Sequence, residues 1–239
     1  ALFSYSSHAA AGYGLDWSPV ECKLATGDER GELRHWTPSN ASWTVSAPLV
    51  GHTGSVEDIG WSPSESTVLA TCSTDRTLRI WDTRMPAPAV TVTASATSDV
   101  NVLSWNDKVQ HLLATGDDHG LLRVWDLRRF GSNHSSEAVV ASFAWHKAPI
   151  TAVQWSPYED SVLACSSDDH TTSLWDLSVE LDAEQEDMQL PSDVKVPPQL
   201  MFIHAGQHYP KDVRWHPHIP GMLLSTAQDG FNIWRPINM

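Results

Sequence analysis

Short apolar and β-branched runs, each bounded by Gly, Asp, Ser or Pro, recur along the whole chain. Residues 51–84 show the pattern most clearly, because three such runs lie between an opening Gly51-His52 and a closing Trp81-Asp82. Runs of this length between turn residues are typical of β-strands, and no helical periodicity of useful length competes with them. The pattern therefore predicts an all-β fold.

Tryptophans divide the chain into copies of this stretch. Five pairs stand 19 or 20 residues apart: Trp17/Trp36, Trp61/Trp81, Trp105/Trp125, Trp155/Trp175 and Trp215/Trp234. A repeat of ~40–45 residues that opens on Gly-His and closes on Trp-Asp is the signature of a four-stranded propeller blade. β-branched runs at 90–93 and 139–143 suit the outermost strand of a blade. We predict five blades within a single β-propeller domain, residues 1–239.

The longest interval between repeats contains an acidic insertion at about residues 176–199. Six carboxylates lie between Glu180 and Asp193, and the pair Pro197-Pro198 disfavours helix and strand at the end of the insertion. A loop longer than ~12–15 residues in a compact domain is more often functional or disordered than idle. The sequence leaves both of these readings open.

The net charge of −14 narrows the choice of partners. An acidic field attracts basic proteins and repels nucleic acid, whose phosphates need clustered Lys and Arg. No apolar run approaches the ~20 residues of a membrane helix, so we expect neither nucleic acid nor a membrane as a direct partner. No signal peptide is visible, and the lack of an initiator Met suggests further residues upstream.

No arrangement typical of an enzyme or a metal site is present in the sequence. The three cysteines, Cys22, Cys72 and Cys165, lack the close pairing of a zinc site, and we expect free thiols in a reducing compartment. Ser, His and Asp recur together, but at repeated strand positions rather than at one exposed nucleophile. We therefore predict no catalytic residue, no cofactor and no metal.

A ring of polar residues is predicted at one mouth of the central channel. Equivalent blades place residues of equal offset at equal height, and the offset four before each first-strand Trp selects Tyr13, Glu57, Asn101, Thr151 and Lys211. Asp99 lies two residues earlier in its blade. Such a ring is either a variable polar surface without a role or a clasp for an extended basic peptide.

Two repeats end in the form Trp-Asp-x-Arg, at residues 81–84 and 125–128. Some ubiquitin-ligase substrate receptors use this form, so Arg84 and Arg128 are candidate adaptor-binding residues. The form is also common in ordinary repeats, where the arginine can pair with a carboxylate of a neighbouring blade.

The whole chain resembles the WD-repeat propellers, and within them the histone-binding WD-repeat chaperones and the related glutamate-rich WD-repeat proteins of ribosome assembly. The resemblance lies in residues 12–19, 55–63, 221–227 and 231–233. It implies a seven-bladed ring whose N-terminal part, with a helix, is missing here. It also implies a buried hydrogen-bond chain in each complete blade: His52, Ser73, Asp75 and Trp81 in the second, and His146, Ser167, Asp169 and Trp175 in the fourth. We predict that these two blades are the most rigid.

The resemblance further implies two binding surfaces for basic proteins. In the histone chaperones an acidic loop ending in Pro-Pro forms part of a groove for a histone helix; the matching residues here are Glu180, Asp182, Glu184, Glu186, Asp187, Pro197 and Pro198. The channel mouth binds basic peptides in those relatives, and Tyr13, Glu57 and Asn101 match residues used there.

The function that these patterns favour is a monomeric, non-enzymatic escort of a basic client, either a large-subunit ribosomal protein or core histones, in the nucleus and nucleolus. The alternative is a substrate receptor of a cullin-type ubiquitin ligase, which would use Arg84 and Arg128.

Overall fold

A computed structural model describes residues 4, 8–40, 42–131, 135–179 and 196–237 of the chain. Five antiparallel sheets follow one another along these residues. The first contains β1 (Leu15–Trp17), β2 (Leu24–Gly27), β3 (Leu33–Ser39) and β4 (Ser42–Val45). The second contains β5 (Val56–Trp61), β6 (Val68–Ser73), β7 (Thr77–Asp82) and β8 (Val90–Thr93).

The remaining sheets repeat this order. The third contains β9 (Val100–Trp105), β10 (Leu112–Asp117), β11 (Leu122–Asp126) and β12 (Val139–Phe143), with short 3-10 helices at Leu127–Arg129 and Ser135–Ala138. The fourth contains β13 (Ile150–Trp155), β14 (Val162–Ser167), β15 (Thr171–Asp176) and β16 (Leu200–Ala205). The fifth contains β17 (Pro210–Trp215), β18 (Leu223–Ala227) and β19 (Gly230–Trp234). The predicted all-β propeller with five repeats is confirmed, and the expected outer strands at 90–93 and 139–143 are β8 and β12.

Each sheet is one blade, and the first strands of the blades contact one another in the order β1, β5, β9, β13 and β17. These strands therefore line the centre of the array. We call the end where the first strands begin the mouth side, and the end where they finish the base side. Second strands run back towards the mouth side, and third strands run towards the base side, because every neighbouring pair is antiparallel.

Apolar side chains fill the space between neighbouring blades. Cys72 and Leu78 of the second blade pack with Val100 and Leu103 of the third, and all four are buried. Trp81, Trp125 and Trp175, which close their repeats, are among the largest fully buried side chains. Since burial of one large apolar side chain contributes about 1.5–3 kcal/mol, these layers are the main source of stability. Cys72 and Cys165 are buried free thiols within them, whereas Cys22 is exposed.

The turn after the second strand requires a left-handed residue in the first four blades. The residues five before the closing Trp all have positive φ: Gly31 (79°), Arg76 (67°), Gly120 (78°) and His170 (71°). Glycine occurs where the next blade comes closest, since a Cβ on Gly31 would lie 2.7 Å from the carbonyl oxygen of His52. A Cβ on Gly120 would lie 2.5 Å from the carbonyl oxygen of His146.

Both ends of the array present apolar faces that are covered in the other blades. Leu15 is 59 % exposed, whereas Ile59, its equivalent in the second blade, is 4 % exposed. Phe231 is 67 % exposed, whereas Leu33, Leu78 and Leu122 at the same offset from the closing Trp are fully buried. The described residues thus form an open array in which the first and fifth blades each lack a neighbour on one face.

Candidate binding site in the central channel

Four of the predicted ring residues occupy equivalent β-bulges. The pairing of first and second strands skips one residue in each of blades two to five: Glu57, Asn101, Thr151 and Lys211. A bulge turns the extra residue out of the regular ladder and re-aims its side chain. All four line a single cavity, the central channel between the first strands, with a volume of about 650 Å³. Tyr13 and Asp99 lie outside this lining.

Negative charge predominates on the channel wall. Five carboxylates line it: Asp16, Glu57, Asp58, Asp107 and Asp212. The two cationic side chains of the lining already contact carboxylates, because Lys211 Nζ lies 2.6 Å from Asp168 Oδ1 and Arg214 Nε donates to Asp212 Oδ2 at 3.1 Å. The wall therefore carries more negative charge than its own cations neutralise.

The mouth residues are held by their neighbours. Asn101 Nδ2 donates to Asp118 Oδ1 at 2.6 Å, and Thr151 Oγ1 donates to the carbonyl oxygen of Pro210 in the next blade at 2.8 Å. Tyr13 donates to Glu29 Oε1 at 3.2 Å, and this bond, with the negative charges of Glu29 and Glu57, raises the pKa of Tyr13. These contacts add further carboxylates to the mouth side that the sequence pattern did not single out.

Deeper in the channel, side chains of one blade accept hydrogen bonds from the backbone of the next. Asp16 Oδ2 accepts from the Trp61 nitrogen at 2.8 Å, and Asp58 Oδ2 accepts from the Leu103 nitrogen at 2.9 Å. Ser104 and Gln154 make the same bond to the Trp155 and Trp215 nitrogens. Sequence position could have indicated three of these acceptors, because Asp16, Ser104 and Gln154 each directly precede a first-strand Trp.

The two half-buried aspartates of the channel, Asp16 and Asp58, ionise less readily than exposed carboxyls. Burial raises the pKa of Asp16 to about 6 and that of Asp58 to about 7, although the backbone N–H donors oppose this shift. Near neutral pH these groups therefore carry charge that their surroundings solvate poorly. A cation entering the channel would stabilise the charged forms.

The buried hydrogen-bond chain of the second blade differs from the predicted one in its hydroxyl. His52 Nδ1 lies 2.9 Å from Asp75 Oδ2, but its Nε2 lies 2.6 Å from Thr71 Oγ1, which also accepts from Trp81 Nε1 at 2.8 Å. Ser73, the predicted link, instead accepts from the Asp75 nitrogen at 3.0 Å. Ser73 lies at the end of its strand, where the turn needs an acceptor, while Thr71 lies deeper, opposite the indole.

The fourth blade requires the same correction. Cys165 occupies the position of Thr71, and the hydroxyl of Ser173 on the next strand links His146 Nε2 (2.7 Å) to Trp175 Nε1 (2.8 Å). His146 Nδ1 lies 2.8 Å from Asp169 Oδ2. Ser167 donates to the carbonyl oxygen of Ala148 and accepts from the Asp169 nitrogen.

The aspartates of both chains are held in the charged form. Burial opposes ionisation of Asp75 and Asp169, but hydrogen bonds from the paired His and from Thr77 or Thr171 outweigh it and leave the pKa of each well below its usual range. These aspartates therefore stabilise the fold only while they are ionised.

Blades that we expected to be incomplete also contain parts of this chain. In the first, His8 Nε2 lies 2.8 Å from Thr26 Oγ1, which accepts from Trp36 Nε1 at 3.1 Å. In the fifth, Gln207 takes the place of the histidine and hydrogen-bonds to Ser225, which accepts from Trp234 Nε1 at 3.0 Å. The third keeps the bond from Trp125 Nε1 to Thr115 Oγ1.

The Trp-Asp-x-Arg arginines lie on the base side and bind within their own blades. Arg84 Nε and Nη2 donate to Asp82, and Arg128 Nε and Nη2 donate to Asp126 in the same way. The expected pairing with a neighbouring blade is therefore wrong, since the partner is the aspartate two residues before. Both guanidinium groups nevertheless remain mostly exposed, with side-chain accessibilities of 73 % and 67 %.

The acidic insertion also leaves the array on the base side. Glu180, Asp182, Glu184, Glu186 and Asp187 lie outside the described residues. Its two ends are described: Gln199 Nε2 donates to the Val179 carbonyl oxygen at 3.0 Å, and Pro197 and Pro198 are half-buried beside them. These ends lie beyond Asp176, at the finish of β15, so they and the channel mouth are at opposite ends of the blade.

One group of possible metal-binding atoms occurs among the described residues, although the sequence predicted none. His8, Asp28 and Glu32 bring donor atoms within 4.8 Å of one another. His8 and Asp28 lie far apart in the sequence, so no short motif indicates the group.

Comparisons with known proteins agree with this architecture. Residues 43–82, 88–126 and 137–176 match the family described as WD domain, G-beta repeat. The chain is 52 % identical to ribosome assembly protein rrb1 of Schizosaccharomyces pombe over 240 residues, which cover 99 % of the chain and 50 % of rrb1. It is 48 % identical to glutamate-rich WD repeat-containing protein 1 of Dictyostelium discoideum over 242 residues, 99 % of the chain and 49 % of that protein.

A more distant relative is histone acetyltransferase type B subunit 2 of Candida glabrata, 25 % identical over 240 residues, 98 % of the chain and 54 % of the relative. The chain thus spans about half the length of the relatives it matches. Within the described part of the chain, no helix has the length and hydropathy of a membrane span. The repeated blades, the family match and these relatives together show that the chain belongs to the WD-repeat family of β-propellers.

Proposed function

We propose that this protein is a non-enzymatic scaffold that escorts a basic protein during ribosome biogenesis. The observation that carries the proposal is the channel wall, where five carboxylates face one cavity and the two cations of the lining are already paired. Lys and Arg side chains of a client would supply the missing positive charge. Electrostatic complementarity of this kind speeds association and selects partners by charge.

The two half-buried aspartates of the channel favour a bound cation over water. Asp16 and Asp58 have raised pKa values of about 6 and 7 because burial disfavours their charged forms. A bound ammonium or guanidinium group would lower both pKa values, and protons would be released on binding near neutral pH. Client binding is therefore expected to weaken as the pH falls below about 6.

The relatives support the choice of process. One is named a ribosome assembly protein, and a more distant one is a subunit of a histone acetyltransferase. The client we propose is accordingly a large-subunit ribosomal protein or a core histone, handled in the nucleus and nucleolus by a monomeric propeller. The acidic insertion would provide a second contact on the base side, so that one client bridges two separate acidic surfaces.

The proposal is tested by retention of basic proteins at increasing salt concentration. One variant changes Glu57 to Gln and Asp107 to Asn on the channel wall. A second neutralises the five insertion carboxylates Glu180, Asp182, Glu184, Glu186 and Asp187. We expect each variant to release a ribosomal protein or histones at lower salt than the natural chain, because fewer charges attract the client. Glu65→Gln, an exposed charge loss on the base side of the second blade, is the matched control. Unchanged retention by both variants would refute the proposal.

The alternative, a ubiquitin-ligase receptor, rests on Arg84 and Arg128. Their exposed guanidinium groups, at the same end of neighbouring blades, favour the alternative. Their bonds to Asp82 and Asp126 argue against it, because these bonds already give the arginines a structural role that needs no adaptor. Replacing both arginines with Ala would abolish adaptor binding under the alternative, whereas client retention would stay unchanged under the escort proposal.

A further inference from the structure

The first blade differs from the second and fourth at one position of its hydrogen-bond chain. Four residues before the closing Trp, the second and fourth blades have Thr77 and Thr171, whose hydroxyls donate to Asp75 and Asp169 at 2.6 Å. Both hydroxyls also lie within 3.4 Å of the Nδ1 atom of the chain histidine. The first blade has Glu32 at this position. A carboxylate thus stands where a neutral donor stands elsewhere.

The substitution places two carboxylates beside one imidazole nitrogen. His8 Nδ1 lies 3.3 Å from Asp28 Oδ2 and 3.9 Å from Glu32 Oε1. The first distance is longer than its equivalents of 2.9 Å and 2.8 Å in the second and fourth blades. His8 and Asp28 are therefore farther apart than the His–Asp pairs of those two blades.

These spacings suit ligands around one small divalent ion. Bonds of about 2.0–2.2 Å from Zn²⁺ to imidazole nitrogen and carboxylate oxygen give tetrahedral ligand-to-ligand distances of roughly 3.3–3.5 Å. The His8–Asp28 distance falls at this value, and a small rotation of the flexible Glu32 side chain would bring the His8–Glu32 distance to it. Three protein ligands would leave a fourth position for water.

Neighbouring groups orient each donor. Asp28 is buried, and its Oδ1 accepts from the backbone nitrogens of Arg30 and Glu32, so Oδ2 is the oxygen directed at His8. His8 Nε2 contacts Thr26 Oγ1, which fixes the ring as the outer contacts of metal-bound histidines do. Arg34 Nε hydrogen-bonds to Glu32 Oε1, the same oxygen that lies nearest His8 Nδ1. Each carboxylate oxygen has two lone-pair sites, so this oxygen can bind an ion and keep the arginine.

We propose that His8, Asp28 and Glu32 form a binding site for a divalent transition-metal ion of the Zn²⁺ type. Imidazole with carboxylates is a donor set for such ions, whereas Mg²⁺ and Ca²⁺ prefer oxygen ligands alone. The ion would tie the loop that carries His8 to the turn after β2. The site is separate from the channel, so its test is independent of the proposed function.

Calorimetric titration of the untagged, metal-free full chain with ZnCl₂ tests the site directly. Two variants remove a ligand but keep a residue that another blade uses at the same place: Glu32→Thr copies the second and fourth blades, and His8→Gln copies Gln207 of the fifth. Both should fold, which their melting temperatures in the presence of EDTA will check. Glu65→Thr, an exposed carboxylate loss in another blade, is the matched control.

We expect one saturable Zn²⁺ site in the natural chain and in Glu65→Thr, with an affinity at least about tenfold lower in Glu32→Thr and His8→Gln. Co²⁺ bound at the site should show the visible absorption of four-coordinate cobalt, which both ligand variants should lose. Absence of saturable Zn²⁺ binding, or equal affinity in the natural chain and Glu32→Thr, would overturn the proposal.

Discussion

At the residue scale, the resemblance to WD-repeat proteins located the histidine, aspartate and tryptophan of the buried chains but selected the wrong hydroxyls. Ser73 and Thr71 lie on the same face of β6, and only the three-dimensional reach of His52 and Trp81 separates them. In the fourth blade the hydroxyl moves to another strand because Cys165 occupies the usual place. A linear offset cannot predict such an exchange, since it depends on which side chains meet across the sheet.

The exchanged hydroxyls lead to a stability prediction. Thr71→Val keeps the shape of the side chain but leaves the buried Trp81 indole and His52 without their shared partner, so we expect a loss of about 1–3 kcal/mol in the free energy of unfolding. Ser73→Ala removes one turn hydrogen bond and should cost less, about 0.5–1.5 kcal/mol. Urea unfolding of both variants measures the difference, and a larger loss for Ser73→Ala would contradict the assigned chain.

The raised pKa of Asp58 leads us to expect an unusual pH dependence of the free energy of unfolding. Its pKa is raised from 3.8 to about 7 in the folded chain, so folding takes up a proton between these values. The stability contributed by its neutral form is fully present below about pH 4 and is lost as the pH rises through about 7. Asn at this position cannot ionise.

Urea unfolding between about pH 5 and 8 tests this sign. The natural chain should lose stability relative to Asp58→Asn as the pH rises, by up to several kcal/mol over the whole interval. A stability difference that stays constant with pH would show that Asp58 titrates normally.

At the element scale, the repeats could be recognised in the sequence because the blades have strands of similar length and each closes on a Trp. The sequence could not show which turns must contain glycine. Gly31 and Gly120 precede blades in which the backbone of the chain histidine, His52 or His146, approaches the turn, whereas Arg76 precedes a blade without such a histidine. The constraint thus comes from the neighbouring blade and not from the turn itself.

Gly120→Ala should be destabilising for two reasons. Its φ of 78° is strained for a residue with a side chain, and the new Cβ would lie 2.5 Å from the His146 carbonyl oxygen. We expect a loss of about 2–3 kcal/mol, seen as a lower melting temperature. Arg76→Ala, at the same point of a turn that already accommodates a side chain, should change stability by about 0.5 kcal/mol or less. Equal losses would contradict the role of the close approach.

Blade rigidity remains a prediction. The second and fourth blades have close His–Asp pairs and a neighbour on both faces, whereas the third has no histidine in its chain and the first and fifth each have an open face. Hydrogen exchange should therefore be slowest in β6 and β14. Faster exchange there than in β2 or β18 would refute this order.

At the scale of the whole molecule, an equal offset from the first-strand Trp correctly selected four residues of one cavity, because equal bulges recur in successive blades. The four are Glu57, Asn101, Thr151 and Lys211. The same offset does not select Asp16 and Asp58, which are half-buried and accept backbone hydrogen bonds from the next blade. Strand direction adds that the described ends of the insertion lie at the opposite end of the blade from the channel mouth, which the sequence pattern did not show. The channel wall, which carries the proposal, is accordingly the surface to test first.

Binding of a basic client in the channel is tested most directly by the affinity of a fluorescent Lys/Arg-rich peptide for the full chain. The affinity is measured by anisotropy at several salt concentrations. We expect saturable binding that weakens with salt, drops several-fold in Glu57→Gln/Asp107→Asn, and is unchanged in Glu65→Gln. Binding of equal strength and equal salt dependence in all three proteins would contradict it.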